Sequence, residues 1–375
     1  MTCLFAPSLD YLNIKNYRFF TELNVPKLSR VNLFSGKNNA GKSSFLEAIY
    51  LHANGFSEPS IYKVLSDREE IIERGNVDFY LSPLRHFFIN HKIEIESFKE
   101  LEISSNLDRT TISLGYSYIE RDAKRVTRQT IDIKTDNANR EIFLEDAFAL
   151  SLLTKSEATE RSGEFPLYQD SDTPFDGGRT FRRSMSERKN ILLVPSSGAS
   201  FDELGFLWDN ISLTDSEKYI LNALRIIENR VTGIAMIQQR KGSARRTPVV
   251  KLRHIDDPVT LKSLGDGMGR IFHIILSLAN CSNGILLIDE FENGLHWSVQ
   301  EKVWEIIFNL SNSLNVQVFC TSHSRDCILS FKENWKKRSD SGMFYRIENN
   351  NGDIESKKYD LESLNDSLEF DVEVR

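Results

Sequence analysis

Hydrophobic and polar positions along the chain follow two rhythms. Leu12-Asn13-Ile14-Lys15-Asn16-Tyr17 alternates as a half-buried strand does, and Val31-Asn32-Leu33-Phe34 is a second short apolar run that ends near glycine. Behind it, Phe45, Leu46, Ile49 and Tyr50 recur at helical spacing, which predicts a helix over 43–52 and a strand, glycine-rich loop, helix unit. From 92 to 148 the runs Ile93-Glu94-Ile95-Glu96, Thr111-Ile112-Ser113-Leu114 and Thr130-Ile131-Asp132-Ile133 alternate between Asn, Asp and Arg clusters, predicting an antiparallel sheet with one solvated face. Phe98, Tyr116, Tyr118 and Phe148 in this region are expected in its core. Residues 152–189 are polar and rich in breakers, end in the basic stretch Arg179 to Lys189, and read as a surface segment.

Regular patterning resumes at the apolar run Ile191-Leu192-Leu193-Val194, followed by the capping box Thr214-Asp215-Ser216-Glu217 with Ile220, Leu221, Leu224 and Ile227 behind it. A second basic stretch, Arg240 to Arg246, precedes a strand at 249–252. The last third predicts helix over 268–279, strand over 285–288, helix over 299–310 and strand over 316–320, the sequence pattern of a parallel sheet covered by helices. After His323 about fifty residues remain, read as a helix and a hairpin (343–347 and 354–357) around Asn349-Asn350-Asn351-Gly352-Asp353. There is no internal repeat and no sustained heptad run.

Composition narrows the class. With 375 residues, 40% hydrophobic and 27% charged, the chain is globular, and a net charge of −7 gives no global field toward nucleic acid, leaving the two basic stretches as the local candidates. Cys3, Cys281, Cys320 and Cys327 form no C-x-x-C pair, so the thiols are expected reduced, with no disulfide or cysteine-zinc framework. No apolar stretch reaches the roughly 18 residues of a membrane span, and a soluble cytoplasmic protein without membrane contact is expected.

The chemistry begins at Gly36-Lys37-Asn38-Asn39-Ala40-Gly41-Lys42-Ser43, a complete G-x-x-x-x-G-K-[ST] between strand and helix, with Ser44 beside it. Its glycines let backbone N–H groups wrap phosphate oxygens at the positive helix end; Lys42 adds a point charge, and the Ser43 hydroxyl is a Mg²⁺ ligand. Downstream, Ile285-Leu286-Leu287-Ile288 ends in Asp289-Glu290, where open α/β sheets hold ligands; Asp289 suits the Mg²⁺ shell and Glu290 the attacking water. Ser263-Leu264-Gly265-Asp266-Gly267-Met268 is a glycine-rich turn opening a helix, able to offer N–H groups to a second phosphate, and Thr321-Ser322-His323 ends the strand after the acidic one. Slow ATP hydrolysis follows from this set.

In this order the motifs resemble the ABC-type ATPase heads of RecF, SMC and OLD proteins, and more closely the AAA_15/AAA_21 group of stand-alone OLD-like ATPases. The resemblance rests on Leu12 to Phe20, the phosphate loop, Ser263 to Met268, Ile285 to His296 and Thr321 to His323, and spans most of the chain. It implies an α/β fold: an ABC-type P-loop ATPase head with a mixed, largely parallel sheet, helices and an antiparallel β-rich and helical lid insertion. The corresponding division is 1–90 and 191–340 for the two parts of the head, 91–190 for the lid, and 341–375 for a C-terminal hairpin and tail. It also implies an ATP-sandwich homo-oligomer, with the signature turn of one copy (Ser263, Gly265, Asp266, Gly267) facing the phosphate loop of another. Lys42 and Ser43 then hold phosphates and Mg²⁺, Asp289 the Mg²⁺, Glu290 the water and His323 the γ-phosphate, while Asn293 to His296 matches the partner-touching D-loop.

Arg18 matches a family arginine near the nucleotide, a surface salt bridge being the alternative reading. Gly265 stands where the usual Leu-Ser-Gly-Gly-Gln signature has serine, and Leu84-Arg85-His86-Phe87 lies at about the distance of the glutamine-loop. With no room for a Toprim nuclease after His323, the chain is similar to the ATPase subunit of PARIS-type antiphage systems, which implies a sensor and scaffold for a separate nuclease or toxin effector. The alternative is a RecF-like repair ATPase clamping duplex DNA.

Overall fold

The computed structural model describes residues 8–71, 79–81, 83–94, 97–122, 125–132, 148–158, 162–166, 168–170, 190–238, 246–350, 352–370 and 372–374. Its centre is a six-stranded sheet in the order Ile191–Val194, Ile285–Ile288, Gln317–Ser322, Val31–Ser35, Gly342–Asn350, Asp353–Tyr359, parallel except for the last, antiparallel pair. Its inner strands are buried on both faces, as unbroken apolar runs predict. Side chains alternate between two cores: Leu286, Ile288, Val318 and Cys320 face a layer of helices (201–211, 215–227, 266–280, 297–313, 325–336), and Ile285, Leu287, Phe319 and Phe34 face helix 42–53. The second core also takes Leu12, Ile14, Leu101, Ile103, Ile112 and Leu114 from a separate antiparallel sheet.

That antiparallel sheet runs Phe20–Val25, Leu12–Tyr17, Leu101–Ser105, Arg109–Asp122, Phe148–Ser156, Ser162–Pro166, with Arg125–Asp132 also paired to Arg109–Asp122. It therefore joins the first strands of the chain to residues 101–166 in one sheet. Two expectations are corrected here and one is extended. The strand expected at 93–96 is found at Leu101–Ser105, where it pairs with both Leu12–Lys15 and residues 109–112, whereas Ile93 and Glu94 lie outside any strand. Leu152–Ser156, read as part of a breaker-rich surface segment, pairs with Thr110–Leu114. The C-terminal hairpin extends the central sheet: Gly342–Arg346 pairs in parallel with the phosphate-loop strand Val31–Ser35.

A helix at Leu361–Glu369, not foreseen, starts with a reciprocal cap between Asp360 and Ser363. At Thr214 the cap is displaced: the hydroxyl accepts the Ser216 N–H, and Glu217 accepts the Leu213 N–H. Phe98 is half-buried against Phe88, with ring centroids 5.4 Å apart. The side chains of Tyr116, Tyr118 and Phe148, and the basic stretch 179–189, lie outside the described residues. Of 240–246 only Arg246 is described, and Asp209 holds it through two hydrogen bonds of 2.7 and 2.5 Å. Cys281, Cys320 and Cys327 are buried. Among the described residues no helix is long and apolar enough to cross a membrane.

Candidate nucleotide site

Two glycines shape the loop between Val31–Ser35 and helix Lys42–Ala53. A Cβ on Gly36 would stand 2.5 Å from the Ile347 carbonyl oxygen, and Gly41 caps the helix at φ 93°, with Phe20 2.9 Å from where its Cβ would be. Lys42 is buried and folds back, donating to the Gly36 and Lys37 carbonyls at 2.7 and 2.9 Å. Burial pushes its ammonium below the ordinary lysine value, against the pull of Asp289, Glu290 and Glu292. Lys37, Asn38 and Asn39 form the exposed crest, and Ala40 packs beneath it.

The acidic strand meets this loop through Asp289. Ser43 Oγ donates to Asp289 Oδ2 at 2.8 Å, and Thr321 Oγ1 donates to Oδ1 at 2.6 Å while accepting the Glu290 N–H at 2.9 Å. Glu290 sits at φ 46°, a left-handed conformation uncommon for a residue with a side chain and often found where a site requires it. Its Oε2 accepts from Asn293 Nδ2 at 2.7 Å. Beyond it, Phe291 stacks on Trp304 with centroids 4.1 Å apart and planes 16° from parallel, which pins the turn to the core. His323 Nδ1 lies 3.2 Å from Glu292 Oε1 and 3.9 Å from Glu290 Oε1, and the His323 N–H donates to Glu292 Oε1 at 2.8 Å.

A cleft of about 580 Å³ opens over the loop, lined by Phe19, Asn38, Asn39, Gly41, Lys42, Ser43, Ser44, Arg68 and Glu290. Glycine backbone, a lysine, a hydroxyl beside a carboxylate and a second carboxylate at the mouth suit a nucleoside phosphate rather than a neutral ligand. Residues 8–328 match the family AAA_15, AAA ATPase domain. The chain belongs to the AAA_15 family. It is an ATPase with the α/β P-loop fold described above.

Among relatives of this AAA_15 chain, an ATP/GTP phosphatase of Helicobacter pylori is 22% identical over 347 residues, covering 85% of this chain and 86% of that protein. The DNA replication and repair protein RecF of Clostridium kluyveri is 32% identical over 107 residues, 28% of each chain. A solved SMC head bound to the C-winged helix domain of ScpA aligns over 95% of this chain and 98% of its own, at 11% identity and a TM-score of 0.49.

Arg18 of the AAA_15 chain is not a lining residue of the cleft. It is 1% exposed; Nε lies 3.0 Å from Glu47 Oε2, and Nη1 and Nη2 donate to the two oxygens of Glu70 at 2.7 and 2.9 Å. Glu47 in turn accepts from Arg68 Nε at 2.5 Å, and Arg68 Nη2 reaches Ser44 Oγ at 3.2 Å. The guanidinium at the cleft is therefore Arg68, with Arg18 behind it in a buried ion network. Both sequence readings of Arg18 need this correction: it is a salt-bridge residue, but a buried one.

The signature turn is also elsewhere. None of Ser263, Gly265 and Gly267 lines the cleft of its own chain; Ser263 and Gly265 are exposed, and Asp266 and Gly267 open helix 266–280. A Cβ on Gly267 would stand 2.6 Å from the Gly294 carbonyl oxygen, so the helix start packs tightly on the D-loop. One turn along, the buried Arg270 donates to the Asp289 carbonyl at 2.6 Å, the Glu290 carbonyl at 3.3 Å and the Pro195 carbonyl at 2.5 Å. Sequence reasoning missed Phe19, Arg68, Arg270, Glu292 and the role of Thr321. Phe19, Glu292 and Thr321 lay inside the runs that carry the resemblance, whereas Arg68 carried no signal.

Proposed function

We propose that the chain binds ATP with Mg²⁺ in this cleft and hydrolyses it in a site completed by a second copy. Gly36 to Ser44 would wrap the phosphates; Lys42, now satisfied by two loop carbonyls, would turn to the β- and γ-phosphate oxygens. Ser43 Oγ and the Asp289 carboxylate, hard oxygen donors 2.8 Å apart, fit Mg²⁺, which when bound neutralises charge across the β- and γ-oxygens. The single observation that carries the hydrolytic reading is Glu290: a carboxylate at the mouth of the cleft, oriented by Asn293 and held through its backbone by Thr321. From there it orients water toward the γ-phosphate, with His323 beside it as a γ-phosphate donor. The signature turn, exposed and outside its own cleft, presents helix N–H groups to the nucleotide of a partner copy. Gly265 has no hydroxyl to offer there, so backbone N–H groups and Ser263 take that part.

For the biological role we propose the sensor and scaffold subunit of an antiphage system, holding a separate nuclease or toxin effector until the ATP cycle releases it. The motif resemblance to PARIS ATPase subunits supports this. A RecF-like clamp on duplex DNA is the second reading, favoured by the RecF stretch of 107 residues.

Steady-state ATP hydrolysis by wild type, Lys42→Ala and Glu290→Gln tests the catalytic part. Both variants should lose at least about a hundredfold in rate, Glu290→Gln while still binding ATP; an unchanged rate in Glu290→Gln would remove it from the chemistry. Retention of an adjacent effector gene product supports the scaffold reading, while duplex DNA affinity that falls steeply with salt supports the clamp.

A further inference from the structure

Phe19, on the rim of the nucleotide cleft, meets His91 edge-on with ring centroids 6.3 Å apart. His91 belongs to a cluster that the ATPase chemistry does not use. Glu70, His86 and His91 each offer one ligand atom, and these atoms lie within 4.8 Å of one another. His86 Nδ1 and His91 Nδ1 are 3.0 Å apart, with their rings inclined at 61°.

Two imidazoles facing each other through the same nitrogen either share one proton or share a cation. Nitrogens bound about 2.0–2.1 Å from a tetrahedral ion lie roughly 3.3 Å apart, close to the separation here. Three observations favour the cation. The backbone takes two successive non-glycine residues, Asn90 at φ 56° and His91 at φ 55°, into the left-handed region, and this turns His91 back over His86 at a cost of roughly 1 kcal/mol or more. A lone imidazole pair is small compensation for that. The base of the loop is fixed: Leu84 and Phe87 are buried, the Arg18 N–H donates to the Phe87 carbonyl at 2.8 Å, and Arg18 Nη1 reaches the His86 carbonyl at 3.3 Å. Finally, Arg18 holds both Glu70 oxygens, which orients the carboxylate and, among the described residues, leaves each oxygen a lone pair for a ligand bond, as outer partners of metal ligands do.

We propose that Glu70, His86 and His91 bind one divalent transition-metal ion of the zinc class, with water completing a tetrahedral shell. Two imidazole nitrogens and one carboxylate oxygen select zinc over magnesium or calcium, whose shells are all oxygen. The ion ties the 83–91 loop to Arg18, and through Glu47 to Arg68 at the cleft.

The test uses the full, untagged, metal-stripped chain titrated with Zn²⁺ alone, without nucleotide or Mg²⁺, so that its result does not depend on the ATPase reading. Calorimetry and elemental analysis after gel filtration should give one zinc per chain. His86→Ala and His91→Ala should each weaken binding at least tenfold and Glu70→Gln should also weaken it, while His254→Ala and His323→Ala leave it unchanged. Because His91 is exposed, its variant should keep the wild-type melting temperature in the absence of metal. Cobalt(II) should give the visible absorption of a tetrahedral nitrogen-oxygen site in wild type and lose it in His91→Ala. Absence of stoichiometric zinc, or zinc that follows His323 and ignores His91, overturns the proposal.

Discussion

At the scale of single residues, the cleft depends on charges held in place by buried partners. Arg18 bridges Glu47 and Glu70 with almost no exposure, so Arg18→Ala leaves two carboxylates short of a cation and should cost roughly 3–5 kcal/mol of stability, read as a shifted denaturant midpoint. Arg68→Ala, at a half-buried position on the rim, should instead weaken nucleotide binding with little effect on that midpoint. Equal losses of stability in the two variants would contradict this division. His273 gives a separate pH signature. Buried on the signature helix with neither ring nitrogen hydrogen-bonded among the described residues, and near Arg270 and Lys63, it is pushed down to about 3 by burial first and those cations second. The unfolded chain takes up this proton near pH 6.5 and the folded chain only near 3, so the folded state binds fewer protons between these values and loses stability as pH falls through them. The slope from this one group approaches about 1.4 kcal/mol per pH unit. Unfolding free energies of wild type and His273→Leu measured from pH 7 to pH 4 should diverge by that trend; parallel curves would show that His273 titrates normally. Arg68 and His273 were not legible as part of a site and Arg18 only through the family resemblance, because each acts through neighbours distant in sequence, whereas Gly36 to Ser43 was legible as an unbroken string whose spacing is its chemistry.

At the scale of elements, the strands that position the acids were legible for a simple reason. Ile191–Val194 and Ile285–Ile288 lie inside a parallel sheet with helices and a second sheet covering its faces, so nearly every side chain is apolar and the run has sharp ends. The antiparallel sheet was less legible: Ile93-Glu94-Ile95-Glu96 and Leu101-Glu102-Ile103 alternate equally well, and what selects the second is pairing with Leu12–Lys15, which no local pattern records. Leu361–Glu369 did carry a signal, Asp360 and Ser363 at capping spacing, but a weak apolar stripe behind it. The contact that matters most between elements is Gly267 on Gly294, where the signature helix meets the D-loop. Gly267→Ala should force these apart at a cost of about 1–3 kcal/mol and reduce ATP turnover while leaving Mg²⁺-ATP binding to the isolated cleft near wild type. If turnover is unaffected, the packing of these two elements does not govern the shared site. Trp304→Ala removes the plate under Phe291 and should cost about 3–5 kcal/mol, seen as a lowered melting temperature.

At the scale of the whole molecule, the two halves of the proposed nucleotide site lie on surfaces that do not meet within one copy. Its cleft has the phosphate loop, Arg68 and Glu290; its signature turn is exposed elsewhere, joined to the cleft through Arg270 beneath the Asp289 and Glu290 carbonyls. Under the proposed function, nucleotide bound to one copy is completed by the other, and hydrolysis sets the lifetime of the pair. Sequence order made this legible in outline, since phosphate loop, signature, acidic strand and histidine follow one another as in related heads. The central sheet adds what order did not reveal: the C-terminal hairpin pairs with the phosphate-loop strand, so the end of the fold contacts the beginning of the site. The measurement that decides between a shared and a self-contained site is light scattering of Glu290→Gln with Mg²⁺-ATP, compared with the same protein without nucleotide and with Lys42→Ala. ATP-dependent growth from monomer to dimer or larger in Glu290→Gln, absent in Lys42→Ala, is the predicted result. An unchanged mass at saturating ATP, with nucleotide bound and Glu290→Gln inactive, would contradict completion of the site by a second copy.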